Sequence, residues 1–143
     1  MTLAYVYGQF PRSALNKEID IDTDVIKVML VTSAYVFNKD THRYKSDITN
    51  EVTGTGYTAG GATLGSPVMT YDAATDTVNF DGADTAWANS TITARGAVVY
   101  DSTPASDATR PLIMFIDFET DRVSVGAAFT IAWHALGLFG FAT

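Results

Sequence analysis

The sequence has no cysteine and few charged side chains. None of its 143 residues is Cys, and Asp, Glu, Lys and Arg together make up 17% of them. The absence of thiols excludes disulfide bonds, thiolate metal sites and cysteine nucleophiles. Because globular domains usually contain roughly 25% charged residues, the polar surface here must consist largely of Thr, Ser, Asn and Gly. This composition is typical of a β-rich protein with a hydroxylated surface that partners partly cover.

The sequence also lacks the segments that membranes, secretion and nucleic acids require. No apolar run approaches the roughly 18 residues of a membrane-spanning helix. No basic segment followed by an apolar run stands at the N-terminus, so we expect no signal peptide. The formal net charge is -7, without a cluster of Lys or Arg. Because an acidic surface repels phosphates, we expect no nucleic-acid partner and no membrane partner.

Short apolar runs separated by turn residues dominate what is present. The strongest strand signal lies at residues 25–32, a β-branched run that suits a central strand covered on both faces. Residues 68–71 and 77–80 flank a turn and predict a hairpin. Further strands are expected at residues 91–100, 112–118, 129–133 and 136–141, and short helices at residues 9–18 and 40–47. We therefore predict a mainly β protein, residues 1–143 forming a single antiparallel β-sandwich, jelly-roll-like, with one or two short helices and an apolar N-terminal arm, residues 1–8.

An alternating run of aspartates is the first candidate for chemistry. Asp20, Asp22 and Asp24 carry oxygen ligands of the kind that calcium prefers. An EF-hand loop, however, needs Gly at its sixth position and Glu at its twelfth, where this chain has Val25 and Val31. We interpret the run as a turn and strand edge with outward carboxylates.

Other partial motifs fail on their context. The spacing of Gly54, Gly56 and Ala59 matches a dinucleotide fingerprint, but no strand precedes it and no helix follows. His42 and His134 each lack a second ligand at a useful spacing. We therefore expect no catalytic residue, no metal and no cofactor, and the chain is not expected to be an enzyme.

Several segments together resemble a known family. They are the Gly- and Thr-rich residues 47–64, Tyr-Asp-Ala-Ala-Thr at 71–75, Ser-Thr-Ile-Thr-Ala-Arg at 90–95, Tyr-Asp-Ser-Thr-Pro at 100–104 and Thr-Arg-Pro-Leu-Ile at 109–113. In this order and spacing they resemble a family of small virion structural proteins of tailed bacteriophages, whose members look like head decoration, or cement, proteins. The chain departs from that pattern at its apolar residues 134–141 and at Pro11.

The resemblance implies a function and a location. It implies a capsid decoration protein, made in the host cytoplasm, that binds the outer surface of the major capsid protein lattice and stabilises the phage head. A tail or adsorption-fibre component of the virion is the alternative. A small carbohydrate-binding module is a third possibility, supported only by Trp87, Trp133 and exposed tyrosines.

A capsid lattice also predicts how copies assemble. Local threefold positions favour a homotrimer, because closed cyclic symmetry uses one patch repeatedly. The expected contact residues are aromatic or apolar side chains of the N-terminal region and residues of the loop 53–61: Leu3, Tyr5, Tyr7, Phe10, Thr55, Tyr57 and Gly60. Aromatic side chains often anchor interfaces, and a Gly- and Thr-rich loop permits close backbone approach. The alternative for the arm is an edge strand of the sandwich.

Overall fold

The structure is a computed structural model that describes residues 2–143, so Met1 of the expected arm lies outside the described residues. Strands account for 49% of residues and helices for 8%, which confirms the mainly β prediction. The strands are β1 (Leu3–Val6), β2 (Ile26–Val31), β3 (Ala62–Thr63), β4 (Val68–Asp72), β5 (Thr77–Asp81), β6 (Thr85–Asp101), β7 (Leu112–Ile131) and β8 (Phe139–Ala142). They form an antiparallel five-stranded sheet in the order β1-β7-β6-β2-β3 and an antiparallel three-stranded sheet in the order β4-β5-β8, and the sheets are not closed.

The long hairpin of β6 and β7 is the centre of the larger sheet. β6 has 17 residues and β7 has 20, whereas strands usually have roughly 3–10. The sequence predicted separate, shorter strands here because Gly, Asn and Asp interrupt the alternating pattern. Three irregularities in the pairing lie at these interruptions, where Asn89, Glu119 and Gly126 have positive φ values of 50°, 62° and 57°. Bulges of this kind bend a strand without ending it.

Hydroxyl groups hold two of these bulges in place. The side chains of Ser90 and Ser124 are buried, and their Oγ atoms lie 2.7 Å apart. The Ser90 hydroxyl also contacts the Ala127 carbonyl oxygen at 3.0 Å, and the Gly126 N–H donates to Thr91 Oγ1 at 3.0 Å. These bonds satisfy backbone groups that an irregular ladder leaves without partners. The distal half of the hairpin can therefore curve over the core at little cost in unpaired polar groups.

The main core fills the space between the two sheets. From the larger sheet it takes alternate residues of β2 and β6, including Val28, Leu30 and Val99, and from the smaller sheet it takes Phe80. The curved half of the hairpin adds Trp87, Ile92, Phe129 and Ile131 to the same cluster. Alternation along a pleated strand places these side chains on one face. The hairpin thus contributes to both halves of the core.

A second apolar cluster covers the opposite face of the larger sheet. It contains Met29, Val31, Val98, Leu112 and Phe115 of the sheet together with Tyr7 and Tyr35. The Tyr7 and Tyr35 hydroxyls lie 2.9 Å apart, and the Tyr35 hydroxyl lies 2.9 Å from His42 Nδ1. Burial raises the pKa of both tyrosines, so their hydroxyls stay protonated. Because residues 33–48 lie over this face, β2 is covered on both sides, as its sequence predicted.

The N-terminal segment is part of the fold. β1 pairs with β7 from Leu3 opposite Asp117 to Val6 opposite Met114. Tyr7 and Phe10 are buried inside the chain, at 0% and 3% exposure. The alternative of an edge strand therefore holds for Leu3–Val6, and the burial of Tyr7 and Phe10 within the chain leaves little of either ring for the partner contact that was predicted for them. Leu3 and Tyr5 remain partly exposed, and their role as contacts stays a prediction.

The expected helices are shorter than predicted. One α-helix, α1 (Phe10–Leu15), begins with Pro11 in its first turn, where the missing N–H has no helical partner to lose. The second predicted helical segment, residues 40–47, contains only a 3₁₀ turn at Lys45–Asp47. The Asp47 carboxylate accepts the N–H groups of Arg43 and Tyr44, which caps the start of this turn and takes both donors away from a helix through residues 40–47.

The burial of Tyr7 predicts that its removal destabilises the domain. Tyr7→Ala deletes a fully buried ring and its hydrogen bond with the Tyr35 hydroxyl. We therefore expect the free energy of unfolding to fall by about 3–5 kcal/mol. Tyr5→Ala, in the same segment but 38% exposed, is the matched control and is expected to cost about 1 kcal/mol or less. Denaturant unfolding measures both. Equal losses of stability in the two variants would mean that the buried Tyr7 ring does not hold the N-terminal segment in place.

Candidate assembly surface

Two of the aspartates of residues 20–24 accept backbone N–H groups of different segments. Asp24 Oδ2 accepts the N–H of Asp20 at 2.7 Å, whereas Asp22 Oδ1 accepts the N–H of Met69 at 2.9 Å on another strand. Within residues 2–143 no three His, Cys, Asp or Glu side chains are grouped as a metal would need. These carboxylates bind backbone donors, as expected for a turn.

One carboxyl group is buried beside another. Asp101, at the end of β6, has 0% exposure, and its Oδ1 accepts the N–H of Thr103 at 2.8 Å. Its Oδ2 has no N–H or O–H donor from the other described groups, and the neighbouring polar side chain is Asp24. Burial raises the pKa of Asp101 to about 6, Asp24 adds to the rise, and the Thr103 N–H opposes it. The pair can therefore share a proton, which ties the start of β2 to the end of β6.

The Gly- and Thr-rich loop lies against strands of its own chain. A Cβ atom on Gly61 would lie 1.9 Å from the Val28 carbonyl oxygen, and one on Gly54 would lie 2.4 Å from the Thr91 carbonyl oxygen. The close backbone approach that these glycines permit is to β2 and β6 of the same chain, and contact of the loop with a partner stays a prediction. The contacts of Gly54 and the bridge of Thr55 with Thr91 cover the free edge of β6.

The side chain of Glu51 fixes the rest of this loop. Its Oε1 accepts the Tyr57 hydroxyl at 2.8 Å and the Gly60 N–H at 2.6 Å. The Tyr57 oxygen in turn accepts the Leu30 N–H at 3.0 Å, and the Tyr100 hydroxyl donates to the Gly60 carbonyl at 2.7 Å. Burial raises the pKa of Tyr57, and it raises that of Tyr100 to about 12. Tyr57 and Gly60 are thus half-buried and engaged within the chain, while Thr55 is exposed.

The distal half of the hairpin has a surface without charge. We call residues 85–94 of β6 and 123–132 around the end of β7 the ribbon; neither segment contains Asp, Glu, Lys or Arg, although the chain carries a net charge of -7. One face of the ribbon packs into the core, and the other is exposed. The exposed residues are Ala86, Ala88, Asn89, Thr91, Thr93, Val123, Val125, Gly126, Ala127, Ala128, Thr130 and Ala132. Val123 and Val125 are 63% and 75% exposed, and they lie beside Thr91 and Thr93.

The two edges of the ribbon differ. The edge formed by β6 is covered around Thr91 by the loop described above. Within residues 2–143, the edge formed by β7 pairs with β1 from Met114 to Asp117. From Thr120 to Ile131, no backbone hydrogen bond among the described residues joins β7 to any element except β6. An unpaired edge of this kind presents N–H and C=O groups to a further strand.

Comparison of the chain with protein-family models, curated proteins and solved structures finds no match. No helix within residues 2–143 has the length and apolar character needed to cross a bilayer. What the ribbon can bind therefore follows from its own shape and chemistry. Its small side chains, absence of charge and open edge suit contact with another protein surface, because burying it leaves no unpaired charge.

The tryptophans do not form a platform for sugars. Trp87 is buried at 5% exposure and packs edge-on against Phe129, with ring centroids 5.9 Å apart. Trp133 is half-buried and donates its Nε1–H to the Ala83 carbonyl at 3.0 Å. Stacking on a sugar needs an exposed ring face, so neither residue adds support to the carbohydrate-binding alternative. The sequence predictions missed the ribbon, although its signal, two charge-free segments in an acidic chain, was present.

The loop contacts predict a strong effect of one added methyl group. Gly61→Ala places a Cβ against the Val28 carbonyl at a φ of 82°, so we expect a loss of about 3 kcal/mol or more in the free energy of unfolding. Gly126→Ala is the control, because its φ is also positive, 57°, but nothing lies within 4 Å of the new Cβ. It is expected to cost about 1 kcal/mol. Thermal or denaturant unfolding of the two variants separates the effect of the contact with Val28 from the effect of a positive φ alone.

The buried carboxyl pair predicts a pH dependence of stability. The pKa of Asp101 is raised from 3.8 to about 6, so the folded state binds this proton more tightly than the unfolded chain. The resulting stabilisation is fully present below about pH 4 and is lost as the pH rises through about 6, a change of about 2–3 kcal/mol.

Asp101→Asn tests this dependence. The amide can still accept the Thr103 N–H and can donate to the Asp24 carboxylate at any pH. We expect this variant to lose most of the slope between pH 4 and pH 7 and to exceed the parent protein in stability at pH 7. Asp121→Asn, at an exposed position, should keep the parent slope. Denaturant unfolding at several pH values gives the comparison, and an unchanged slope in Asp101→Asn would contradict the shared proton.

Proposed function

We propose that this chain is a structural protein of a tailed-phage virion, a decoration protein that binds the outside of the major capsid protein lattice and stabilises the head. The observation that carries the proposal is the ribbon, an exposed surface without charge on an acidic protein. The resemblance of residues 47–64, 71–75, 90–95, 100–104 and 109–113 to small virion proteins supports the same function.

The ribbon supplies what a decoration protein needs from its binding surface. Threonine and valine side chains such as Thr93 and Val123 are stiff, so they lose little rotamer freedom when a partner covers them. The absence of charge removes the cost of burying unpaired ions. A modest contact of this kind is sufficient when many copies bind one lattice, because repeated weak contacts add to a large total.

The remaining surface fits an outer position on the head. The excess of acidic side chains gives a net charge of -7, which repels packaged DNA and keeps unbound copies apart. Residues 33–48 cover the face of the larger sheet that lies opposite the main core, and hydrogen bonds join Tyr7, Tyr35 and His42 there. That side of the protein therefore has no large apolar surface. The protein therefore has one surface suited to binding and other surfaces suited to solvent.

Cryo-electron microscopy of the virions that encode the chain tests the proposal. We expect density for this fold on the outer surface of the head, at the joints between capsid subunits, with homotrimers at the local threefold positions. Heads that lack the protein are expected to release DNA at a lower temperature than complete heads. Density on the tail alone would replace the proposal with the tail-component alternative.

A matched pair of variants tests the surface. Val123→Glu adds a charge to the outward face of the ribbon, so its occupancy on stripped heads is expected to fall by roughly tenfold or more. Val36→Glu changes a valine with a similar exposure, 78% against 63%, in the loop that covers the second face. This control should bind as the parent does. Equal binding by all three proteins would exclude the ribbon as the capsid contact.

A further inference from the structure

The open edge of β7 has the properties of an edge that pairs with another strand. Natural proteins usually blunt long strand edges with charges, prolines or covering segments. Residues 123–131 contain neither a charged residue nor proline. The loop that covers the edge of β6 has no counterpart along β7 among the described residues. Two bulges, at Asn89 opposite the segment between Ala127 and Phe129 and at Gly126, interrupt the pairing of this stretch with β6, and regular pairing resumes from Phe129 to Ile131.

An apolar cleft lies beside the same edge. It has a volume of about 490 Å³ and lies between the start of β1, at Thr2 and Ala4, and the distal end of β7. Its apolar lining includes Met114, Phe118, Phe129, Ile131 and Leu138. A strand added along β7 would place alternate side chains toward this cleft and the others toward solvent. Both hydrogen bonds and apolar burial are therefore available to such a strand.

The distribution of charge favours a second copy of the chain as the partner of the β7 edge. Copies of a chain with net charge -7 repel one another over most of their surface, so they can approach closely only where neither carries charge. The charged residues of β7 lie at its middle, at Asp117, Glu119, Asp121 and Arg122, before the uncharged stretch begins. A second copy meets that stretch with an equally uncharged ribbon, and it also supplies the strand edge that hydrogen bonding requires.

We infer that the open β7 edge, with Val125 beside it, is the contact through which one copy of this chain binds a second copy. The second copy adds its own β7 edge to residues 123–131, which extends the five-stranded sheet across a twofold joint. This contact links copies of neighbouring homotrimers and does not form the trimer itself. The inference deepens the proposed function and rests on it for the role of the ribbon in assembly. It assigns the edge of β7 to contact between copies and leaves the outward face at Val123 for the capsid.

Sedimentation of the purified protein tests the inference without phage heads. The parent protein is expected to associate as its concentration rises through the micromolar range. Val125→Lys and Thr130→Lys each place a charge on the ribbon beside the β7 edge, so each is expected to weaken self-association by roughly tenfold or more. Val36→Lys, at 78% exposure against 75% for Val125, should associate as the parent does. Melting temperatures close to that of the parent show that each variant folds.

Hydrogen exchange provides a second readout that needs no variant. Edge amides of residues 127–131 are expected to exchange quickly in dilute protein and at least roughly tenfold more slowly in the associated state. A parent protein that stays monomeric, an equal effect of Val36→Lys, or exchange at the β7 edge that does not change with association would each overturn the inference. Self-association without binding to heads would instead refute the proposed function and leave the inference standing.

Discussion

The antiparallel pairing of β6 with β7 places every other strand of the larger sheet. β2 pairs along the proximal half of β6, β1 along the proximal half of β7, and β3 reaches the sheet only through β2. The distal half has no further strand and curves over the core through bulges at Asn89 and Gly126. If this hairpin were straight, Trp87 and Phe129 would leave the main core, and the smaller sheet would lose much of its apolar partner surface.

The same hairpin gives the molecule two unlike edges. Along β6, glycines permit a loop to lie directly on the strand, and Glu51 holds that loop through Tyr57 and Gly60. Along β7, no loop among residues 2–143 covers the edge from Val123 to Ile131 in this way. A strand edge is closed by backbone contact, and this chain has the small residues needed for it on one side only. Because of this asymmetry, a partner strand can pair with the ribbon along its β7 edge and not along its β6 edge.

Local signals in the sequence were sufficient for the regular strands. Residues 25–32 predicted β2 because β-branched side chains filled both faces, and the hairpin of β4 and β5 followed from turn residues between two alternating runs. The length of β6 and β7 was not predictable in the same way. Asn89 and Gly126 have the residue types of turns, Glu119 does not, and only pairing with the neighbouring strand makes all three bulge positions.

The predicted contact residues show a second limit. Tyr7 and Phe10 are aromatic, and aromatic residues suit both a core and an interface, so composition did not decide between burial by this chain and burial by a partner. The glycine loop was correctly expected to permit close approach, but the identity of the approaching backbone depends on distant strands. The ribbon, in contrast, was present in the sequence as the absence of charge over residues 85–94 and 123–132.

The pairing of Leu3 with Asp117 has a consequence for how the protein forms. β1 pairs with a strand that lies far along the chain from it, so the larger sheet cannot close until the intervening residues 7–113 are available. Contacts between residues so distant in sequence slow folding, since the loop between them must be ordered first. Until then the apolar residues of β2 and the N-terminal segment have no permanent cover. The net charge of -7 repels one partly folded copy from another and so limits aggregation during this interval.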